Sequence, residues 1–255
     1  KILSESYGCT GWDVSFPELA WIWSWQAIFG INLPCIHLSA YSIKGIRKRD
    51  YPAFFSYQEP WWNNFSVFSE WLTNVNSLVS EGVRNPDVLV INPISSIWCH
   101  QKKNFISSES KHISNQYRML VENLINNQIS FDLGDETILS KYAKVKDGKL
   151  RVGERNYSYL IVPETISIMD STVKILSEFI KSGGKIVFVN KRPYMTEGAI
   201  NNLIIDSVFN DCNIVSNRKE MWRKYFDIVQ YKRFVEVKNK SSDQLTDKLV
   251  VETIS

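Results

Sequence analysis

The sequence contains 255 residues, of which 44% are hydrophobic and 22% are charged, a balance typical of globular proteins that bury a core. Its formal net charge of +3 comes from interspersed acidic and basic residues, and the densest basic run, residues 44–49, is interrupted by Gly45 and Ile46, so no nucleic-acid-binding surface is indicated. The four cysteines are far apart and share no spacing, so neither a zinc motif nor a disulfide scaffold is indicated.

No apolar segment reaches the ~18 residues that a membrane-spanning helix needs. The richest one, residues 19–33, contains Ser, Gln, Gly and Asn. No signal peptide is recognisable. The sequence begins at Lys1 within a predicted strand, so we expect it to be a piece of a longer protein, whose compartment could be cytoplasmic, periplasmic or extracellular.

The composition changes near residue 85. Seven of the nine tryptophans lie within the first 71 residues, whereas the rest alternates apolar segments with segments rich in Lys, Ser and Asn. This change predicts two units joined at residues 82–86. We assign residues 1–84 to the first unit, residues 85–217 to the second, and residues 218–255 to a β-rich tail that starts a further module.

The first unit begins with a predicted β-α-β arrangement. A short strand ends near Glu5, and Ser15 with Glu18 forms a capping-box pattern that predicts a helix to about Phe29. Apolar residues surround the axis of this helix, so we expect it to be largely buried. Residues 31–38 then read as a second strand.

A long loop, residues 39–64, follows the second strand and is rich in aromatic residues. Loops of this length inside compact domains are commonly functional or disordered, and the aromatic content argues against disorder. A helix over residues 65–79 is predicted by apolar residues at helical spacing.

The second unit alternates strands with helices, which predicts a doubly wound α/β sheet of flavodoxin type. Its predicted strands are residues 88–91, 128–131, 159–163, 185–189 and 213–215, and its predicted helices are residues 117–125, 170–180 and 197–209. Residues 149–152 are interpreted as a small excursion after a turn. From Trp222 onward, weak alternation predicts strands.

Glu5 is the best candidate for catalysis, because barrel enzymes keep their acids and bases at the carboxyl ends of strands. It could equally be a surface acid at a strand end. His37 would lie beside Glu5 if the two strands are neighbours, although a histidine in an apolar strand is more often a core residue. Tyr41, Trp61 and Trp62 could stack on sugar rings, or they could simply hold the long loop in place.

Asp132, Asp135 and Glu136 form the tightest acidic cluster. They could hold a cation, but they lack the pattern of an EF-hand loop, and an acidic helix N-terminus is the simpler interpretation. The sequence has no GxGxxG, Walker A or GxSxG motif, which weakens nucleotide-binding, phosphoryl-transfer and serine-hydrolase hypotheses.

Ordered motifs in the first 62 residues resemble the closing part of the catalytic barrel in glycoside hydrolase family 106, the α-L-rhamnosidase-like enzymes. They are Ser4–Gly8 with Gly11-Trp12, Trp25-Gln26 with Gly30–Asn32, Tyr41–Gly45, Arg47–Asp50 and Pro60–Trp62. Further motifs resemble the flavodoxin-like domain that follows the barrel there and in β-galactosidase-type architectures, where it supports trimerisation. They are Pro86–Pro93, Phe131-Asp132 with Asp135-Glu136, Asp147–Leu150 and Tyr159–Pro163. The resemblance covers about residues 1–215.

In such enzymes two carboxyl groups flank the scissile glycosidic bond. The resemblance implies that Glu5 is one of them and that the substrate is an oligosaccharide or glycoside. It further implies that His37, Tyr41, Trp12 and the Trp61-Trp62 loop line the sugar pocket, and it allows for a calcium ion as the one cofactor. The first six barrel strands, and with them the second carboxylate, are absent from this sequence.

Three hypotheses follow. The first is a glycoside hydrolase fragment that is inactive alone. The second is a non-catalytic α/β module that associates with a partner, including a homo-oligomer, since an incomplete barrel exposes apolar surface. The third is a flavodoxin-like domain that binds a small molecule, although no phosphate-binding loop follows Ile91. No nucleic-acid or membrane partner is expected.

Overall fold

The computed structural model describes residues 1–101, 106–233 and 236–238. The chain divides into two compact units, the first made of residues 1–84 and the second starting at Asn85. Within the described residues, every helix is too short or too polar to cross a lipid bilayer.

The first unit opens with the strand β1 (Leu3–Ser6), the helix α1 (Phe16–Ile28) and the strand β2 (Leu33–Ile36). The two strands pair in parallel, with Glu5 opposite Cys35, so this segment is one β-α-β repeat of the kind from which (β/α)₈ barrels are built. The capping box predicted from the sequence forms, because the Glu18 carboxylate accepts the backbone N–H of Ser15 at 2.8 Å. After β2 come two short 3₁₀ turns (Gly45–Arg49 and Trp62–Asn64) and the helix α2 (Phe65–Glu81).

The prediction that α1 is buried on most sides is wrong. Leu19, Trp23 and Ala27, each four residues apart, are buried in the core of this unit, whereas Trp21 and Trp25 are 69% and 51% exposed. One helical stripe therefore covers the core, and Trp21 and Trp25 face outward.

The second unit contains eleven described strands and six described helices. In chain order they are β3 (Val88–Ile91), α3 (Ile94–Cys99), α4 (Ser108–Asn126), β4 (Phe131–Gly134), α5 (Glu136–Tyr142), β5 (Ala143–Lys146), β6 (Lys149–Val152), β7 (Arg155–Tyr157), β8 (Tyr159–Val162), β9 (Ser167–Ile168), α6 (Asp170–Lys181), β10 (Lys185–Val189), β11 (Met195–Thr196), β12 (Ala199–Ile200), α7 (Asn202–Phe209), β13 (Asn213–Val215) and α8 (Lys219–Ile228).

Five of these strands form one parallel sheet in the order β4-β3-β8-β10-β13, which is the flavodoxin-like order 2-1-3-4-5. Alternate residues of each strand point to opposite faces. Leu89, Leu160 and Phe188 pack with α5, α6 and α7 on one face, while Val90 and Ile161 pack with α4 and α8 on the other. The predicted doubly wound sheet is therefore confirmed.

Several predicted boundaries move. The second strand of the sheet occupies Phe131–Gly134 rather than residues 128–131, since Gln128 adopts a left-handed φ of 56° that ends the preceding helical segment. The helix predicted over 197–209 begins only at Asn202, because residues 195–200 form the antiparallel pair β11-β12. The excursion at residues 149–152 is the middle strand of the antiparallel sheet β5-β6-β7.

The predicted β-rich tail is wrong for residues 219–228, which form the helix α8. Its buried side chains Trp222, Tyr225 and Phe226 lie three and four residues apart, which is the spacing of a helix face that covers a sheet. The strands predicted around residues 234–237 and 249–251 lie partly or wholly outside the described residues.

Candidate functional site

Glu5 and His37 come together at the carboxyl ends of the two strands of the first unit. Glu5 is the third residue of β1, and His37 directly follows β2 and donates its backbone N–H to the carbonyl of Ser6 at 2.9 Å. Glu5 Oε1 lies 3.8 Å from His37 Nε2. Parallel strands end at the same edge of their sheet, and this alignment brings the two side chains to one place.

The two side chains differ sharply in exposure. The Glu5 side chain is 62% exposed and that of His37 only 8%, so the carboxylate faces solvent in front of an imidazole that is held by the protein. His37 Nδ1 lies 3.4 Å from the carbonyl oxygen of Ala53, while Nε2 is the ring nitrogen that faces Glu5. A Cβ on Gly8 would approach His37 Cδ2 to 3.0 Å, so the imidazole packs directly on the backbone there.

A depression of about 610 Å³ opens at this pair. Its walls include Tyr7, Ile22, Gln26 and Tyr51 in addition to Glu5 and His37. Glu5 supplies the one carboxylate among these lining residues. A volume of this size lies within the range of small-molecule sites.

The backbone around the depression is unusual. Tyr7, Cys9 and Tyr51 adopt left-handed φ values of 79°, 63° and 58°, although none of them is glycine, and all three line the depression. Such conformations cost free energy and concentrate at functional sites. Sequence reasoning missed Tyr7 and Tyr51, because only the backbone conformation marks them.

Of the two residues that sequence reasoning missed, Tyr7 is the more buried. Its side chain is buried, and its hydroxyl has no hydrogen-bond partner among the described residues. Burial raises the pKa of Tyr7 far above its ordinary value, so the hydroxyl keeps its proton, and the ring packs against Phe55 and Phe68 in the core of the unit.

The predicted aromatic residues lie outside the depression. Tyr41 is fully exposed, and Trp62 stacks on Phe65 with ring centroids 5.2 Å apart. Trp61 packs among aromatic rings of the unit's core, and Trp12 donates its indole N–H to the carbonyl of Lys48 at 2.9 Å. Trp12 thus contacts the long loop, and Trp61 and Trp62 pack on aromatic neighbours of the same unit, while their role in binding a sugar stays a prediction.

Glu59 is a further buried acid in that loop. The residue is 3% exposed, and its Oε1 accepts the backbone N–H of Phe54 at 3.1 Å. Its Oε2 has no partner among the described residues. Burial raises the pKa of Glu59, and the hydrogen bond from Phe54 offsets part of this rise.

The acidic cluster of the second unit has structural partners. Asp135 accepts the backbone N–H of Ile138 and caps α5, and Asp132 accepts the hydroxyl of Tyr157 at 2.8 Å. The buried Glu136 accepts Ser95 Oγ and a backbone N–H. Among the described residues no group of three or more His, Cys, Asp and Glu side chains could hold a metal ion, and these three acids are used in the hydrogen bonds just described.

Comparisons with known proteins show what the fold is like. No family model and no curated protein matches the chain. Among solved structures, it is similar to a rhamnosidase from Novosphingobium sp. PP1Y, with a TM-score of 0.63, 12% identity and coverage of 94% of this chain and 24% of that one.

Two other solved structures are similar over most of the chain. They are an exo-carrageenase GH42 from Bacteroides ovatus (TM-score 0.56, 14% identity, 86% of this chain and 28% of that one) and Gan42B, a GH42 β-galactosidase from G. stearothermophilus (TM-score 0.55, 15% identity, 79% and 28%). The chain therefore spans about a quarter of the length of these proteins. At these identities the comparisons concern the fold alone: the chain shares with part of these structures a partial barrel segment followed by a doubly wound α/β domain.

Proposed function

We propose that this chain is part of a glycoside hydrolase and that Glu5 is one of its two catalytic carboxyl groups. The observation that carries the proposal is the Glu5–His37 pair, in which Glu5 Oε1 lies 3.8 Å from His37 Nε2. The pair lies on the carboxyl edge of two parallel strands, where barrel enzymes hold their catalytic residues. In the proposed arrangement, residues 1–84 are the C-terminal portion of the barrel and residues 85–217 are the flavodoxin-like domain that follows it along the chain.

The chemistry of the depression suits this role. Glu5 would either donate a proton to the leaving oxygen, or activate water or attack the anomeric carbon, with the second carboxyl group acting from the other side of the bond. His37 Nε2, 3.8 Å from Glu5 Oε1, would lie beside the reacting carboxyl group. We propose an α-L-rhamnoside-like substrate, because Ile22 offers an apolar contact for the C6 methyl group of a 6-deoxy sugar in this otherwise polar depression.

The proposal predicts binding without turnover by the 255-residue chain. Because Glu5 is the one carboxylate among the residues that line the depression, aryl α-L-rhamnosides should not be hydrolysed. L-rhamnose should nonetheless bind weakly, as measured by saturation-transfer NMR, and Glu5→Gln should weaken that binding severalfold, since a hydrogen bond to a charged group is lost. Glu70→Gln, on the exposed face of α2, is the matched control and should leave binding unchanged.

Hydrolysis by the parent chain that disappears in the Glu5→Gln variant would show that the chain already holds a complete catalytic pair. It would overturn the proposal that the second carboxyl group is missing. Equal binding of L-rhamnose by the parent chain and the Glu5→Gln variant would place the sugar elsewhere.

A second candidate function is association between copies of this chain through the outer face of α1. Trp21 and Trp25 lie four residues apart on that face and are largely exposed, and Phe29 packs on Trp25 with ring centroids 5.0 Å apart. Exposed aromatic stripes of this kind mark interaction surfaces more often than ordinary surface.

A further inference from the structure

The second unit has a cavity of its own at the carboxyl edge of its parallel sheet. It has a volume of about 420 Å³ and lies where the chain leaves β8 and β10, beside the first turns of α4. Its polar lining residues include His100, Glu109, His112, Glu164, Thr165 and Lys191. In open α/β sheets, ligands bind in the crevice outside the carboxyl ends of the strands.

Glu164 organises this cavity. Its side chain is 8% exposed, and its Oε1 lies 3.0 Å from His112 Nε2 and 3.2 Å from Lys191 Nζ, while Oε2 accepts Asn190 Nδ2 at 2.6 Å. Burial alone would raise the pKa of Glu164, but the hydrogen bonds from Asn190, His112 and Lys191 outweigh burial and hold it below its ordinary value. Glu164 is therefore a buried carboxylate that fixes two donors in place.

His112 and Lys191 both have N–H positions that Glu164 does not use. The side chains of His112 and Lys191 are 56% and 54% exposed, and each uses one nitrogen position on Glu164. An ammonium group carries three protons, and an imidazolium has a second N–H at Nδ1. Two N–H donors can therefore point into the cavity from a pair whose position is set by one buried acid.

The floor beneath the pair is rigid. Thr165 is buried and shares a hydrogen bond with Ser96, and Ser96 Oγ accepts the backbone N–H groups of Ile166 and Ser167, each at 3.0 Å. The segment that carries Glu164 is thus tied to α3 at consecutive residues, which keeps the donors in one geometry.

We propose that this cavity is a binding site for a small organic carboxylate, with the ligand's carboxylate on Lys191 Nζ and His112 Nδ1. Lys191 Nζ, held at 3.2 Å by Glu164 Oε1, is the cationic group that would face the ligand's carboxylate. Because Glu109 and Glu164 both line the cavity, a monoanion meets less repulsion there than a phosphate dianion does. The proposal does not depend on Glu5 or on the function proposed for the first unit.

Isothermal titration calorimetry on the full chain tests the site, with D-glucuronate as the carboxylate, D-glucose as the neutral sugar of similar size and inorganic phosphate as the competing anion, all at one ionic strength. We expect saturable binding of D-glucuronate and none of D-glucose. Lys191→Gln should weaken D-glucuronate binding about tenfold or more, as expected for a lost charged hydrogen bond. Lys174→Gln, at an exposed position of α6, should change nothing.

Saturable binding of D-glucose with equal affinity, or of phosphate in preference to D-glucuronate, would overturn the proposed ligand class. The proposed site would be refuted if D-glucuronate bound the Lys191→Gln variant as tightly as the parent chain, or if it did not bind the parent chain. If Lys191→Gln disturbs the fold, His112→Gln serves as the second variant. It should also weaken D-glucuronate binding.

Discussion

Buried carboxylates in this chain acquire different properties from their immediate neighbours. Glu164 is surrounded by donors that lower its pKa, whereas Glu59 has one backbone donor and an unpartnered oxygen among the described residues, so burial dominates and its pKa rises. Residue type and sequence position would not distinguish the two. The number of donors within hydrogen-bond distance does.

Glu59 predicts a pH dependence for the first unit. Since its pKa is raised in the folded state, the folded chain holds the proton to higher pH than the unfolded chain, whose carboxyl titrates near 4.5. Stability is therefore lost as pH rises from about 4.5 through the raised value. Glu59→Gln removes this loss and should make the first unit more stable than the parent at pH 8 by about 1 kcal/mol, with little difference at pH 4.

Thermal unfolding followed by tryptophan fluorescence measures this effect, because seven of the nine tryptophans lie in the first 71 residues. Glu81→Gln, at the exposed end of α2, serves as the control. A Glu59→Gln variant that is less stable than the parent at pH 8 would show that the ionised form is stabilised by contacts absent from this structure.

The candidate site was only partly predictable from the residues. Glu5 and His37 could be placed near each other because two consecutive strands of a β-α-β repeat are neighbours with a common carboxyl edge. Tyr7 and Tyr51 could not be placed, because a left-handed φ in a tyrosine leaves no mark in composition or spacing. Tyr41 is exposed, which the aromatic content of its loop does not reveal.

At the scale of helices and strands, continuous apolar runs were the most informative pattern. Residues 88–91, 159–162 and 185–189 are strands buried on both faces, as their sequences predict. The sequence predicts strands in place of the helix α8, because the weak alternation further along the chain obscures the spacing of the apolar residues at 222, 225 and 226. The three aromatic side chains follow the helical period, and only their packing on the sheet resolves the ambiguity.

The end of α6 provides a test of packing. Gly184 donates its backbone N–H to the carbonyl of Phe179 at 2.9 Å, and a Cβ on Gly184 would overlap the ring of Phe179, which is fully buried. Gly184→Ala should therefore destabilise the second unit by about 2–4 kcal/mol, because the ring cannot move without disturbing the core.

Chemical denaturation followed by far-UV circular dichroism measures that loss. Gly153→Ala is the comparison, because Gly153 has a φ of 61° but no atom lies within 4 Å of the position that its Cβ would take, so only about 1 kcal/mol of backbone strain is expected. Equal effects of the two substitutions would refute the packing argument.

At the scale of the whole molecule, the two units make different use of their apolar residues. The second unit buries both faces of its parallel sheet under helices. The first unit leaves Leu3 and Leu33 of its two-stranded sheet, and Trp21 and Trp25 of α1, exposed. A chain with this much exposed apolar surface is expected to associate.

Sedimentation velocity should accordingly show concentration-dependent self-association of the 255-residue chain. The double substitution Trp21→Ser with Trp25→Ser should shift the distribution toward the monomer, since the stripe of α1 supplies the contact. The exposed Leu203→Ser in α7 is the control and should leave the distribution unchanged. A monomeric parent chain at all concentrations would contradict the second candidate function.

The packing of Gly8 beneath His37 has a consequence for any ligand of the first unit. The backbone at Gly8 and the carbonyl oxygen near Nδ1 confine the imidazole on two sides, which favours one position of Nε2 before and after a ligand arrives. Such preorganisation removes the entropic penalty of ordering a polar side chain during binding. A bulkier residue at position 8 would tilt the imidazole and restore that penalty, and the loss would appear in affinity while the fold remained intact.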